Sequence, residues 1–406
     1  MTFMNGLNGL NGLNGLNGLN GLNGLNGLNG LNGLNGLNGL NGLNGLNGLN
    51  GLSGSLSGGP GSILTTHDAI AGLYQPPAHA PTAIPAAARL DLGRWSADVR
   101  ARILDADLFP RLAFGKKPGA PDQFMVLAGQ QTWSTTGAAP ILVQQYDPLF
   151  TINPPTIASL VSQQLPLVAN AAVLRGDRLH EIIDQIVLPI GFYGAIVPLS
   201  PERKRWTLEL MMVAFRLSVF VEMAFKHAFS LPRPNEMSPQ INPVIPTPLH
   251  ATLPSGHATE NFAMATILWE LLRRSPAPER DPAYRDRLFK LADRIAYNRT
   301  VAGVHFPVDN AAGAALGTTL GLFLVDQCLD GAGGGCHEWA FDAAVFCNPA
   351  QHDGFFDYAD LVGQMLPGGG GAAATPVPGL SQMNGLAFPR SALLGALWSK
   401  ALDEWS

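Results

Sequence analysis

The sequence predicts an all-α fold, a helical bundle, and three observations support this prediction. From about residue 155 to residue 330 the apolar residues recur at helical spacing, without a convincing alternation of apolar and polar residues. Two helical segments begin with N-terminal signals, namely Ser200 followed by Pro201 and Asp281 followed by Pro282. Charged residues make up only 14% of the chain, so we expect large helical surfaces to be buried against one another.

The predicted helices belong to one domain, which we place at residues 62–335. After a first helix around Trp95–Asp105, the segments in chain order are TIASLVSQQLPLVANAAVL, GDRLHEIIDQIVLP, SPERKRWTLELMMVAFRLSVFVEMAFKHAF, ATENFAMATILWELLRR, DPAYRDRLFKLADRIAYNR and PVDNAAGAALGTTLGLFLVDQCL. Residues 336–406 form a C-terminal extension. Its last helix, SALLGALWSKALDEWS, is amphipathic and is predicted to pack on the bundle or on another subunit.

A low-complexity repeat precedes this domain. The tripeptide Asn-Gly-Leu repeats without error from Asn5 to Leu52, and a Ser/Gly-rich linker extends to residue 61. A period of three fits neither an α-helix nor a strand. It fits a polyproline-II-like threefold helix with every leucine on one edge. A short β-solenoid and a flexible low-complexity tail are the alternatives, and we expect no catalysis from residues 1–61.

The composition of the chain argues against some classes of function and indicates a cellular compartment. A net charge of −5 over 406 residues provides no basic excess for binding nucleic acid. Cys328, Cys336 and Cys347 are odd in number and form no CxxC pair, which argues against disulfides or structural zinc and favours a reducing compartment. The N-terminus lacks the pattern of a signal peptide. No uninterrupted apolar run reaches the ~20 residues that cross a bilayer, so we expect no membrane span and a cytoplasmic location.

The stretch LHATLPSGHATENF (249–262) places Ser255, Gly256 and His257 at the start of a helix. Unpaired N–H groups and the macrodipole make such a position favourable for an anion. Glycine permits close approach of the backbone, serine adds a donor, and histidine exchanges protons near neutral pH. A serine N-cap beside an incidental histidine is the simpler interpretation of this stretch taken alone.

Three cationic residues are predicted at helix ends or in the turn beyond. Lys226 ends the longest helix, and Arg233 follows in SLPRPNE. Arg299 ends another helix, six residues before His305, which itself lies four residues before Asp309. Because the chain is otherwise net acidic, we expect these cations and histidines to converge on one oxyanion.

These motifs resemble those of a known superfamily. KHAFSLPRP (226–234), PSGH (254–257) and RTVAGVHFPVD (299–309) are similar to the three signature blocks of the type 2 phosphatidic acid phosphatase (PAP2) and vanadium haloperoxidase superfamily, with all ten fixed positions in order. The resemblance implies the helical bundle of that superfamily. It also implies that the oxyanion-binding residues are Lys226, Arg233, Ser255, Gly256 and Arg299.

The resemblance further implies roles for three reactive side chains. His305 would be the nucleophile toward phosphorus or the single protein ligand of vanadium in vanadate. Asp309 would orient the His305 ring, and His257 would be the acid–base on the leaving-group side. The general chemistry agrees, since an imidazole oriented by a carboxylate is a nucleophile and a second imidazole is a general acid.

Such a site fits two reactions, and the fold class alone does not choose between them. We favour a vanadium-dependent haloperoxidase that uses vanadate to oxidise halide with hydrogen peroxide. The chain shows neither the spans of the lipid phosphatases nor the secretion signal typical of the soluble acid phosphatases. In addition, His250 stands five residues before Ser255, where bromoperoxidases of the family carry a histidine near the vanadate, and we assign it to the halide side.

The alternative is a soluble acid phosphatase that hydrolyses phosphomonoesters through a phosphohistidine and needs no cofactor. The short interval between His257 and Arg299 favours it. A third hypothesis is a self-assembling scaffold, built through the repeat, with a secondary enzyme site. His227 and His180 are interpreted as structural or surface residues, and the partners expected are a small-molecule substrate and copies of the same chain.

The repeat predicts self-association through residues 5–52. A lone threefold helix would leave its leucines in water, and each leucine moved into a shared core contributes roughly 1.5–3 kcal/mol. Deletion of residues 5–52 should therefore lower the oligomer mass measured by light scattering. Equal masses for the full-length and truncated proteins would contradict this expectation.

Overall fold

The computed structural model describes residues 90–134, 141–329, 335–350, 353–366 and 375–406, together with positions 76 and 88. The chain divides into two compact units, one of Pro85–Ile183 and Ile190–Ser406, the other of Met1–Ile84 and Asp184–Pro189. The Asn-Gly-Leu repeat lies outside the described residues, as do its predicted threefold helix and self-association. The predicted domain boundaries at residues 61 and 335 stay predictions.

Helices account for most of the described chain between residues 155 and 330, as the sequence predicts. The helices are α1 (Ala97–Leu108), α2 (Ile157–Asp184), α3 (Ile190–Gly194), α4 (Arg205–Phe229), α5 (Pro234–Met237), α6 (Gly256–Leu272), α7 (Pro282–Ala302), α8 (Pro307–Cys328), α9 (Ala343–Phe346), α10 (Tyr358–Met365) and α11 (Ala392–Asp403). Helix α2 is irregular, with a π turn at Leu160–Gln164 and a 3-10 turn at Ala172–Leu174.

The prediction of an all-α fold is wrong, because a five-stranded sheet lies among the described residues. Its strands, adjacent in sequence order, are β1 (Leu112–Lys117), β2 (Ala120–Ser134), β3 (Ile141–Asn153), β4 (His337–Asp342) and β5 (Leu380–Gly385). The prediction rests on the apolar pattern of residues 155–330, whereas all five strands lie outside that range. The alternation of β2 is also disturbed. In β2 the consecutive residues Met125 and Val126 are both buried, and the pairing register with β3 shifts directly after Val126.

The helical bundle forms the connection between two parallel strands. Strand β3 pairs with β4 in parallel, with Phe150 opposite Trp339 and Ile152 opposite Phe341, whereas the other strand pairs are antiparallel. Parallel strands need a long crossover connection. Here the connection between β3 and β4 includes every helix from α2 to α8. The strand that precedes these helices therefore pairs with the strand that follows them.

Helix α6 is the centre of the bundle and packs against α4, α7 and α8. All of its residues except His257 and Glu260 are buried, and α8 is buried along its whole length. The residues of α6 that remain partly exposed thus belong to its first two turns. This leaves the start of α6 as the part of the helix that a ligand can reach.

Small residues allow α6 and α8 to approach closely. Glycines recur at every fourth residue of α8, which places them on one face of the helix. A Cβ added at Gly313 would lie 2.6 Å from the Ser255 carbonyl oxygen, and one added at Gly317 would lie 2.2 Å from the Thr259 carbonyl oxygen. The contact therefore requires glycine, and it holds the start of α6 against the first turn of α8.

The start of α4 differs from the sequence prediction. Ser200 and Pro201 were expected to begin this helix, but it begins at Arg205. The Glu404 carboxylate, from the turn after α11, accepts hydrogen bonds at 2.9 Å from the backbone N–H groups of Trp206 and Thr207. A distant carboxylate thus caps the helix. By contrast, the predicted cap of α7 by Asp281 is confirmed, since its carboxylate accepts from Ala283 N–H.

The predicted absence of a membrane span, and with it the cytoplasmic location, is wrong. Helices α2 and α8 are both long and apolar enough to cross a bilayer, by length and composition alone. Helix α8 has 22 residues and so measures about 33 Å. The sequence test required an unbroken apolar run, whereas the mean hydropathy of a helix stays high when a few glycine and threonine residues stand among many apolar ones. The most apolar window of α8 is fully buried, and 22% of that of α2 is buried.

The glycine-lined contact makes a stability prediction. Gly317→Ala should lower the free energy of unfolding by about 1–3 kcal/mol, because the new methyl group overlaps a backbone carbonyl that cannot rotate away. Gly176→Ala is the matched control, since a Cβ there meets no atom within 4 Å and alanine favours a helix. Calorimetry should show a lower Tm for Gly317→Ala only, and equal Tm values for the two variants would contradict the packing argument.

Candidate active site

Two helix starts meet at the candidate active site. Ser255 is the N-cap of α6, and Phe306 is the N-cap of α8, with His305 immediately before it. The Ser255 backbone N–H donates to the Asp309 carbonyl oxygen at 2.9 Å. This hydrogen bond, together with the close packing at Gly313, brings the PSGH turn and the VHFPVD turn together.

His305 is almost completely buried and is held at both ring nitrogens. Its Nδ1 lies 3.1 Å from Asp309 Oδ2 and 3.2 Å from Thr252 Oγ1, and its Nε2 lies 3.3 Å from the Arg233 NH1 donor. These partners assign the proton to Nδ1 and the lone pair to Nε2. Burial, followed by the charges of Arg233 and Lys226, lowers the pKa of His305 well below its usual value. The ring is therefore neutral and nucleophilic at neutral pH.

Asp309 is fully buried and held by three neighbours. Its Oδ2 accepts from the Phe306 backbone N–H at 2.9 Å and from the Thr252 hydroxyl, and it also faces His305 Nδ1. This arrangement fixes both the carboxylate and the imidazole. Thr252 was missed in the sequence, where a threonine in a proline-rich loop carries no distinguishing pattern.

Backbone carbonyl groups hold two of the predicted cations. Arg233 NH1 donates to the Val304 carbonyl at 2.8 Å and its Nε to the His250 carbonyl at 2.9 Å, while the Lys226 ammonium donates to the Pro254 carbonyl. Both cationic side chains are 1% exposed. Burial lowers the pKa of each side chain from its usual value. Neutral acceptors thus position the two charges without cancelling them.

Arg299 and His257 are the remaining cation and the remaining acid–base residue of the predicted site. Arg299 is also 1% exposed and donates from NH2 to the Ile182 carbonyl at 3.2 Å. Its charge lowers the pKa of the Glu260 carboxyl on α6, against the larger raising effects of burial and of Glu222. His257 is half-buried, and its charge contributes to the lowered pKa of His305. His257 thus lies within electrostatic range of His305, and Arg299 within range of Glu260.

His250 lies beside one of the predicted cations. Its ring Nδ1 lies 3.2 Å from Arg233 NH2. Burial, with the charges of Lys226 and Arg233, lowers the pKa of His250 to about 4, so its ring is neutral at neutral pH. The end of the proline-rich loop that carries His250 thus contacts Arg233. His227 and His180, by contrast, are exposed, as the sequence interpretation expects.

The arrangement fits an anion. The Ser255 hydroxyl is buried and has no hydrogen-bond partner in the described part of the chain, beside the buried charges of Lys226, Arg233 and Arg299. Buried polar groups and charges are costly unless they are paired. An oxyanion with two or three negative charges would supply a partner for the Ser255 hydroxyl and would be attracted by the nearby cations.

A separate cavity lies beside the start of helix α8. It measures about 260 Å³ and is lined by Asp293, Tyr297, Pro307, Asn310, Phe355 and Phe356. None of the predicted site residues lines it. Burial, followed by the charge of Asp357, raises the pKa of Asp293 to about 7.

Comparison with known proteins places the chain in a family. Residues 207–329 match the PAP2 superfamily. The chain is 30% identical over 182 residues to the decaprenylphosphoryl-5-phosphoribose phosphatase of Mycobacterium tuberculosis (strain ATCC 25618 / H37Rv), a match that covers 44% of this chain and 91% of that protein. The chain belongs to the PAP2 superfamily.

Two further similarities of this PAP2 superfamily protein are more limited. It is 34% identical over 101 residues to the vanadium-dependent bromoperoxidase of Ascophyllum nodosum, which covers 20% of this chain and only 18% of the bromoperoxidase. The transmembrane PAP2 type phosphatidylglycerolphosphate phosphatase from Bacillus subtilis has a TM-score of 0.25 and 17% identity, over 41% of this chain and 78% of that one. The superfamily predicted from the motifs is confirmed, and these relatives include both a phosphatase and a haloperoxidase.

The N-terminal repeat has its own match. Residues 4–62 match the collagen triple helix repeat (20 copies). The shared feature is a glycine at every third position, since the other two positions of the repeat are asparagine and leucine rather than proline. The tract is therefore a glycine-rich, collagen-like repeat in sequence.

The Asp309 network predicts a graded loss of activity in this PAP2 superfamily protein. Asp309→Asn should lower kcat about 10²–10⁴-fold, because an amide no longer selects the tautomer with a free Nε2 on His305. Thr252→Val should cost less, about 10-fold, since the Phe306 N–H still holds the carboxylate.

Thr318→Val provides the control for loss of a buried hydroxyl, since Thr318 bonds only within its own helix, to the Ala314 carbonyl. Its kcat should stay unchanged. Full activity of Asp309→Asn in steady-state assays would show that the carboxylate does not orient the nucleophile.

Proposed function

We propose that this protein is a haloperoxidase-type member of the superfamily, which binds vanadate and oxidises a halide with hydrogen peroxide. The observation that supports the proposal is the position of His250, whose Nδ1 lies 3.2 Å from Arg233 NH2 within the cation cluster. A histidine near the vanadate at this sequence position is a feature of the family's bromoperoxidases. The similarity to the bromoperoxidase of Ascophyllum nodosum points in the same direction.

The residues of the site fit vanadate as a cofactor. Lys226, Arg233 and Arg299 would hold its oxygens, and the buried Ser255 hydroxyl would gain the partner that it lacks among the described residues. His305 Nε2 is the protein atom that would bind the vanadium. When bound, vanadate supplies the Lewis-acid activation of hydrogen peroxide.

The side chains of the site contribute proton transfer and charge. His257, half-buried at the start of α6, would take a proton from the incoming peroxide and return it to the departing oxygen. Arg233 and Lys226 provide the positive potential that draws a halide into the site. The neutral His250 ring beside Arg233 lines the halide side without adding a negative charge.

Hydrolysis of phosphomonoesters is the second candidate function. The match to the mycobacterial phosphatase covers 91% of that protein, which favours this reaction. In it, His305 Nε2 would attack phosphorus, the bond from phosphorus to the ester oxygen would break, and His257 would donate a proton to that oxygen. Water would then hydrolyse the phosphohistidine, while the three cations stabilise the charge on the phosphoryl oxygens.

One experiment separates the two reactions. We expect purified full-length protein, loaded with orthovanadate, to brominate an organic acceptor in the presence of bromide and hydrogen peroxide. His250→Ala should lower the rate of bromination at least about 10-fold, the effect typical of a lost polar contact to a charged group. His227→Ala is the matched control, because this exposed histidine adjoins Lys226 in sequence but lies outside the cluster.

A phosphatase assay on vanadate-free protein runs alongside. Bromination that needs vanadate and depends on His250 would support the haloperoxidase. Hydrolysis of a phosphomonoester without any bromination would contradict it and favour the phosphatase. His305→Ala should abolish whichever activity is found, since both reactions use His305 Nε2.

A further inference from the structure

Between its charged ends, helix α4 carries Glu209, Arg216 and Glu222 in an apolar run, and the structure explains the first two. The Glu209 carboxylate pairs with Arg100, and Arg216 pairs with Asp105 at 2.8 Å, so both join α4 to helix α1. Glu222 has no such partner. Its side chain is 4% exposed, it forms no ion pair, and its Oε2 has no hydrogen-bond partner in the described part of the chain.

The Glu222 carboxyl group lies against the glycine of the PSGH motif. A Cβ added at Gly256 would stand 2.6 Å from Glu222 Oε1 and 3.0 Å from Oε2. The neighbouring Ser255 hydroxyl is also buried and without a partner among the described residues. Two buried polar groups that lack partners therefore flank the first residue of α6, where the oxyanion is expected to bind.

The charges around Glu222 come from several elements. Lys226, one turn further along α4, and Arg233, before α5, both favour the ionised carboxylate, while Glu260 of α6 carries a charge of the same sign. An ionised Glu222 beside Gly256 would repel a bound oxyanion and compete with it for Lys226 and Arg233. A protonated Glu222 would instead donate a hydrogen bond.

We infer that Glu222 is an oxyanion-binding residue that acts in its protonated form, donating its carboxyl hydrogen to the phosphate or vanadate oxygen beside Gly256. The inference rests on the oxyanion site of the proposed function and adds a residue that the signature motifs do not include. On this inference, the affinity of the site for oxyanions falls when Glu222 loses its proton. The site thus adds to Lys226, Arg233 and Arg299 one donor that a rise in pH removes.

Burial supports the protonated form. It raises the pKa of Glu222 to about 7, against the lowering effects of Lys226 and Arg233. A carboxyl group with a pKa near 7 is about nine-tenths protonated at pH 6 and about one-tenth protonated at pH 8. The change in oxyanion affinity should therefore occur between these two pH values.

The test is the affinity for inorganic phosphate, measured by isothermal titration calorimetry at pH 6 and pH 8. The full-length protein is compared with Glu222→Gln, which keeps a donor of the same shape but does not titrate. The ratio of Kd values, unchanged protein over Glu222→Gln, should rise about 10-fold from pH 6 to pH 8. Comparison at each pH cancels the ionisation of phosphate itself.

Two further variants separate the donor from a structural role. Glu222→Met keeps the volume but has no donor, so it should bind phosphate more weakly than Glu222→Gln by a similar factor at both pH values. Glu209→Gln removes a carboxylate from the same helix outside the site and should follow the unchanged protein. Thermal unfolding of each variant shows whether it is folded.

The possible results are distinct. A Kd ratio that does not change with pH, or equal phosphate binding by Glu222→Met and Glu222→Gln, would overturn the inference while leaving the oxyanion site in place. Failure of the unchanged protein to bind phosphate at either pH would overturn the oxyanion site, and the inference with it.

Discussion

The close contact between helices α6 and α8 is the constraint on which the site depends. Glycines at every fourth position of α8 let the backbone of α6 pass at a distance that any side chain would prevent. At the start of this contact, the Ser255 N–H bonds to the Asp309 carbonyl. The helix start that would bind the oxyanion and the helix start that would carry the nucleophile are consequently held against each other.

Electrostatics is the second constraint, because Lys226 and Arg233 are buried on neutral acceptors and form no ion pair among the described residues. Carbonyl groups of Val304, His250 and Pro254 hold the guanidinium of Arg233 and the ammonium of Lys226. Burial, reinforced by these two charges, lowers the pKa of both His305 and His250 and so keeps the two rings neutral at neutral pH. An anion bound beside these cations would offset the cost of burying them.

A site of this kind suits more than one reaction, since phosphate and vanadate share charge and hydrogen-bonding geometry. Residues around the cations, rather than the cations themselves, would then decide the chemistry. His250 adjoins Arg233 from a proline-rich loop, and Glu222 adjoins Gly256 from helix α4. Neither belongs to the signature motifs, and burial favours the uncharged form of each side chain.

The sequence by itself determined the superfamily and most of the helices between residues 155 and 330, and its motifs predict the residues of the oxyanion site. Short motifs at fixed spacing are local patterns, so they are readable without a structure. Thr252 escaped because a hydroxyl in a loop has no periodic signal. In the sequence, Glu222 is a single charged residue within an apolar run. The sequence around such a carboxylate is the same whether the side chain pairs with a neighbouring helix or faces a ligand.

Tertiary structure alone decided the remaining features. The parallel pairing of β3 with β4 joins residues far apart in sequence, and all five strands lie outside the helical range on which the all-α prediction rests. The start of α4 depends on Glu404, a carboxylate almost 200 residues away. Helix periodicity shows which side chains of a helix are buried. The residues that contact each buried side chain depend on packing between distant segments, and this packing determines the environment of Glu222.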